Sequence, residues 1–88
     1  MSHILYFTAD WCNPCKRTMP IVQELIKENI IKFVFIDVDH EHKLVQKFEI
    51  KSVPTFILIE DNVEVKRTNG AKTREDLLNF IKTEEDDS

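Results

Sequence analysis

Apolar residues fall along the chain in short runs whose spacing predicts four strands and three helices. Ile4, Leu5, Tyr6, Phe7 and Thr8 form a compact run suited to a strand buried on both faces. Over residues 13–29 the period becomes helical, with Val22, Leu25 and Ile26 recurring on one side. Pro20 lies inside that stretch, where it removes a backbone donor and crowds the preceding turn. A kink is therefore expected near Lys16 and Arg17. Phe33, Val34, Phe35 and Ile36 make a second, fully apolar strand. A short helix over residues 41–48 follows, with Leu44, Val45 and Phe48 on one face, and Phe56, Ile57, Leu58 and Ile59 form the third strand.

The turn Glu60, Asp61, Asn62 leads into Val63 and Val65, which alternate with Glu64 and Lys66. That alternation predicts a half-exposed fourth strand, antiparallel to the third because only a tight turn joins them. Gly70 is the only glycine in the chain and follows Asn69, so it predicts a positive φ or a close approach by another segment. Thr73 reads as a helix N-cap with Asp76 three residues on, opening a helix that sends Leu77, Leu78, Phe80 and Ile81 toward the core.

The order β-α-β-α-β-β-α contains two crossover units, for which parallel strands and right-handed connections are expected. With the hairpin added, the expected fold is α/β: a four-stranded mixed sheet with helices on both faces. At 88 residues there is room for one domain, expected over residues 1–83, and no repeat divides it.

Charge changes this picture little. Four of the 16 acidic side chains are Glu84, Glu85, Asp86 and Asp87, which leaves 12 acidic against 12 basic residues before them. Residues 84–88 are expected to be a solvated acidic tail. No basic patch argues for nucleic acid. The apolar run at residues 4–7 has no Lys or Arg before it and is too short for a signal-peptide core or a membrane helix, so no membrane role and an intracellular, reducing setting are expected. Two cysteines in such a setting point to catalysis or metal binding more than to a permanent staple.

The chemistry lies in Trp11-Cys12-Asn13-Pro14-Cys15-Lys16, where the first strand runs directly into a helix. A thiol at a helix N-terminus sits beside unpaired N–H groups and the positive end of the helix dipole, which favours thiolate over thiol. Cysteines three apart share one helical face, close enough for a disulfide, and Pro14 suits the first turn, where no intrahelical donor is lost. Cys12 is thus expected to be the exposed attacker and Cys15, one turn deeper, the resolving thiol. C-x-x-C also occurs in zinc sites, but His40 and His42 are one residue apart and His3 is remote, so a Cys₂His₂ site fits poorly and no metal is expected. The histidines are expected on the surface. An inert structural pair is the other alternative.

The segment Ala9-Asp10-Trp11-Cys12-Asn13-Pro14-Cys15-Lys16 resembles the thioredoxin active-site segment, which typically reads W-C-G-P-C-K. Pro20, Val53-Pro54-Thr55 and Gly70-Ala71 follow in thioredoxin-like order and spacing, so the resemblance spans residues 4 to about 82. It implies a minimal thioredoxin-like fold and a dithiol–disulfide oxidoreductase acting on protein disulfides as a cytoplasmic monomer. It implies that Pro54 is cis and faces the cysteines, leaving the Val53 backbone free to pair with an extended substrate. Trp11 would form the rim and Gly70 would flank the groove. No bound cofactor is implied beyond a redox-active Cys12–Cys15 disulfide, with electrons from a thioredoxin-reductase-like flavoenzyme or from glutathione.

Three departures accompany the resemblance. The family's usual first strand and helix have no counterpart here, which leaves the core that glutaredoxins also use and makes residues 33–36 an expected sheet edge. The buried Asp that helps deprotonate the resolving cysteine would fall at Tyr6, and its Lys companion at Phe35. Asn13 replaces the glycine between the cysteines. A glutathione-dependent, glutaredoxin-like enzyme is the alternative, as is a non-catalytic interaction module using the Trp11, Val53 and Gly70 surface.

Overall fold

The computed structural model describes residues 1–82, so the expected acidic tail lies outside the described residues. The elements are β1 (Ser2–Thr8), α1 (Asn13–Lys27), β2 (Lys32–Asp37), α2 (His42–Lys47), β3 (Thr55–Glu60), β4 (Val63–Asn69) and α3 (Arg74–Ile81). The strands form one mixed sheet in the order β2-β1-β3-β4.

Alternation along the central strands divides the core into two layers. Ile4, Tyr6, Phe33, Phe56 and Leu58 face Val22 and Leu25 of α1 and Leu77 of α3. Phe7, Ile36, Ile57 and Ile59 face the other way, toward Leu44 of α2 and Phe48 at its end. The Tyr6 ring stacks on Phe56 with centroids 4.7 Å apart. Pro20 lies inside α1, so the Lys16 carbonyl has no donor four residues on.

One expectation about topology is corrected. β1 and β2 are parallel, but β1 and β3 are antiparallel, so the connection through α2 joins antiparallel strands. The reason is length. Six helical residues span about 9 Å, whereas six strand residues span about 20 Å, so α2 itself returns the chain less than half the length of the sheet, and the residues after it do not complete the return. β3 therefore starts at the end where β1 and β2 finish. That brings residues 53–54 to the same end of the sheet as Cys12.

Two further points concern the sheet edges. β2 is an edge strand, as expected for residues 33–36, and only Phe33 and Ile36 in it are buried; Phe35 is 44% exposed. On β4, Val63 and Val65 face water, while Lys66 and Thr68 turn partly inward. The register slips between Leu58, opposite Lys66, and Ile59, opposite Glu64, so Val65 is the extra residue of a bulge that re-aims the alternation. The stem of Lys66 then covers the α3 side, its Nζ lying 5.4 Å from the Phe80 ring centroid.

Gly70 has φ +89°, and a Cβ built there would meet only the Lys72 Nζ at 4.0 Å. Of its two possible reasons, backbone conformation applies and crowding does not. Thr73 caps α3 reciprocally with Asp76: the Thr73 hydroxyl accepts from the Asp76 N–H at 3.0 Å, and the Asp76 carboxylate accepts from the Thr73 N–H at 3.0 Å.

Candidate active site

β1 ends at Thr8, and Cys12 is the N-cap of α1. Its N–H donates to the Ala9 carbonyl at 3.2 Å, closing the strand-to-helix turn. Its sulfur accepts from the Cys15 N–H at 3.1 Å, so a cap role usually filled by oxygen is filled by Sγ. Pro14 occupies the first turn. Cys12 and Cys15 are joined as a disulfide with Cα atoms 5.2 Å apart.

Both cysteines are buried, Cys12 at 3% exposure and Cys15 at 1%. Cys12 is thus not the exposed residue expected from its position, because its sulfur is tied into the disulfide and Ala9, Val38 and Val53 pack against the pair. What distinguishes the two sulfurs is the amide donor at Cys12.

Trp11 is 64% exposed, and its indole Nε1 donates to the Asp39 carboxylate at 2.9 Å. The bond spans from the β1–α1 loop to the loop after β2 and holds a large ring beside the dithiol. Trp11 and Val53 share a shallow depression with Val38, Val45 and Ile50. The Val53–Pro54 peptide bond is cis, and neither the N–H nor the C=O of Val53 has a hydrogen-bond partner among the described residues. The neighbouring carbonyl, that of Pro54, accepts from the Gly70 N–H at 2.9 Å. Trp11, Cys12, Val53, Pro54 and Gly70, which come from three separate stretches of sequence, therefore meet at one end of the sheet. Asn13 and Lys16 are exposed on the first turn of α1.

Tyr6 is buried beneath this turn, and its hydroxyl donates to the Cys15 carbonyl at 3.2 Å. Burial pushes the phenol up from its ordinary value, so it remains a neutral donor. Asp37, at the end of β2, accepts from the Asp39 N–H at 2.8 Å and contacts His40 Nδ1 at 3.0 Å; both hold its carboxyl below the usual range, the amide most strongly. His40 and His42 are exposed, while His3 is half-buried. Among the described residues no three His, Cys, Asp or Glu side chains converge as a metal site would require.

The sequence reading missed Asp39. The available signal was its place just beyond the C-terminal end of a parallel strand, at the sheet end that carries Cys12. Nothing in the one-dimensional pattern paired it with Trp11, 28 positions away.

The thioredoxin family model matches residues 1–83. A thioredoxin of Chlamydia trachomatis is 32% identical over 89% of this chain and 78% of its own length. A bifunctional thioredoxin reductase/thioredoxin of Mycobacterium leprae is 38% identical over 82% of this chain, which corresponds to 16% of that protein. Among solved structures, the thioredoxin of Fasciola hepatica superposes with a TM-score of 0.84 at 34% identity, covering 91% of this chain and 77% of that one. Sequence, fold and the paired cysteines at the end of β1 agree: the chain belongs to the thioredoxin family and is a thiol–disulfide oxidoreductase.

Proposed function

We propose that the reduced protein acts on disulfides of other proteins, with Cys12 as the nucleophile and Cys15 as the resolving thiol. The observation that carries the assignment is the Cys15 N–H aimed at the Cys12 sulfur at the start of α1. On the reduced protein that amide and the helix terminus stabilise a thiolate at Cys12 and do nothing comparable for Cys15. Cys12 attacks one sulfur of the substrate disulfide and releases the other; Cys15 then displaces Cys12 from the mixed disulfide and leaves the internal disulfide.

The unpartnered Val53 N–H and C=O supply a docking edge for an extended substrate segment, with Trp11 and Gly70 as its flanks. All of these groups come from one chain, which supports a monomer as the working unit. Electrons come from a separate flavoenzyme of the thioredoxin reductase type, a reading supported by the relative whose name joins the two activities. The cytoplasm is the compartment that suits a dithiol reductant, because thiols are kept reduced there. No helix among the described residues is long and apolar enough to cross a membrane.

The test is a pair of serine variants mixed with a disulfide-bonded protein. Cys15→Ser should accumulate a one-to-one mixed disulfide, and Cys12→Ser should form none and lose all turnover. Turnover surviving in Cys12→Ser would refute the assignment, and partner binding without turnover in the wild type would mark an interaction module. The equilibrium potential separates the donors: about −270 mV is typical of thioredoxins, and about −200 mV would favour a glutathione-linked role.

A further inference from the structure

Cys15 is 1% exposed, and a substrate docked on Trp11, Cys12 and Val53 covers the groove side of the dithiol. The Cys15 thiol must nevertheless lose its proton while that substrate is attached. Tyr6, beneath it, is a neutral phenol that already donates to the Cys15 carbonyl, so it offers no base. On the opposite flank, however, an open cleft of about 550 Å³ reaches Cys15. Its walls are Thr8, Ala9, Met19, Pro20 and the exposed ring of Phe35, and its rim carries Asp10, Lys16 and Asp37. The cleft shares no lining residue with the groove formed by Trp11, Cys12, Val53, Pro54 and Gly70.

We infer that this cleft is the proton port of the resolving step, a water-filled access to Cys15 that stays open while substrate occupies the groove. The inference rests on Cys15 being the resolving thiol. Water in the cleft takes the Cys15 proton and passes it to bulk solvent. The Cys15 thiolate then forms a bond to the Cys12 sulfur as the bond from Cys12 to the substrate sulfur breaks. The substrate sulfur leaves with the electron pair and is protonated; the cysteine pair is oxidised and the substrate reduced.

The charges on this flank set how readily the proton leaves. Asp10 on the β1–α1 loop and Asp37 on β2, the latter contacted by His40, hold the proton on Cys15. Lys16 on α1 favours its departure. Ala9, Val38 and Val53, which pack against the pair, are uncharged, and the Cys12 sulfur, bonded to the substrate at this step, does not titrate. Lys16 and Asp10 are therefore positioning residues for the proton.

The experiment follows decay of the mixed disulfide with a fluorophore-labelled disulfide peptide by rapid quenching between pH 5 and 9. Lys16→Gln should raise the pH midpoint of decay and Asp10→Asn should lower it, each by about half a pH unit, a roughly threefold change in thiolate fraction. Thr8→Leu, which narrows the cleft, should slow decay several-fold with the rate of initial attack at Cys12 unchanged. Both charge variants alter exposed side chains, so their folding is not at issue. Midpoints unmoved by either charge change, with Cys15→Ser still trapping the mixed disulfide, would overturn the port. Failure of Cys15→Ser to trap would instead overturn the resolving role on which it rests.

Discussion

At the scale of single residues, the contact of most consequence beside the dithiol is the one between Trp11 and Asp39. An exposed indole without a partner would sample several rotamers; the 2.9 Å bond to Asp39 holds it in one. Asp39→Ala should therefore release the ring. Trp11 is the only tryptophan in the chain, so its fluorescence reports the change directly. We expect broadened, red-shifted emission and a KM for protein disulfides raised several-fold with kcat nearly unchanged; unchanged emission would show that the bond does not hold the ring. Gly70 is a second case. An alanine at φ +89° costs about 1–2 kcal/mol of backbone strain. Because the Gly70 N–H also holds the Pro54 carbonyl, Gly70→Ala should lower both stability in urea and affinity for extended substrates. The pairing of Cys12 with Cys15 and the positive φ of Gly70 were legible because each rests on local chemistry: a thiol at a helix start, a three-residue spacing, a lone glycine. Asp39 was not, since its function exists only once two loops meet.

At the scale of elements, the periodic pattern located all seven, and it failed where a strand met an edge. Val63 and Val65 read as the inward half of an alternation, but a bulge and the lack of a further neighbour let them face water. The run from Phe33 to Ile36 is apolar throughout, yet its edge position leaves Phe35 exposed: hydrophobicity predicts a strand without saying how many sides of it are covered. α3 shows the opposite case, a boundary written fully in local sequence. Thr73→Ala should destabilise the protein by about 1 kcal/mol in urea titrations at neutral pH, since it unpairs a capped donor. The bond from the Thr73 N–H holds the Asp76 carboxyl below its ordinary value, and Arg74 does the same to Glu28 at the C-cap of α1. A carboxyl lowered by folding stabilises the native state above its unfolded value, about 4, and that contribution disappears as the pH falls through the folded value. Stability should thus fall between pH 5 and 2, and Asp76→Asn should flatten that decline while lowering stability at pH 7. An identical acid slope in the variant would show that the capping box does not titrate with folding.

At the scale of the whole molecule, the antiparallel return through α2 is the feature on which the site depends. Two parallel crossovers, the simplest reading of the element order, would start β3 at the far end of the sheet and leave Val53 about 20 Å from Cys12. A helix of six residues covers less than half of that journey, a cue that is visible only when element lengths are compared as well as types. The same packing bears on how folding and redox state are linked. The disulfide closes a ring of only four residues, 12–15, so the chain-entropy model gives it about 2 kcal/mol of stabilisation through the unfolded state. A native fold that held dithiol and disulfide equally well would therefore make the oxidised protein more stable than the reduced by about that amount. The reduced native state has its own stabilising term, the Cys15 N–H directed at a Cys12 thiolate, which the disulfide form replaces with a weaker bond to neutral sulfur. We expect the measured gap between oxidised and fully reduced protein in urea at pH 7 to be smaller than 2 kcal/mol for this reason, and to widen as the pH falls through the Cys12 thiol value and the thiolate is lost. A gap that is larger at pH 7 and independent of pH would mean that the amide does not stabilise a charge on Cys12, and the assignment of Cys12 as the attacking sulfur would lose its physical basis.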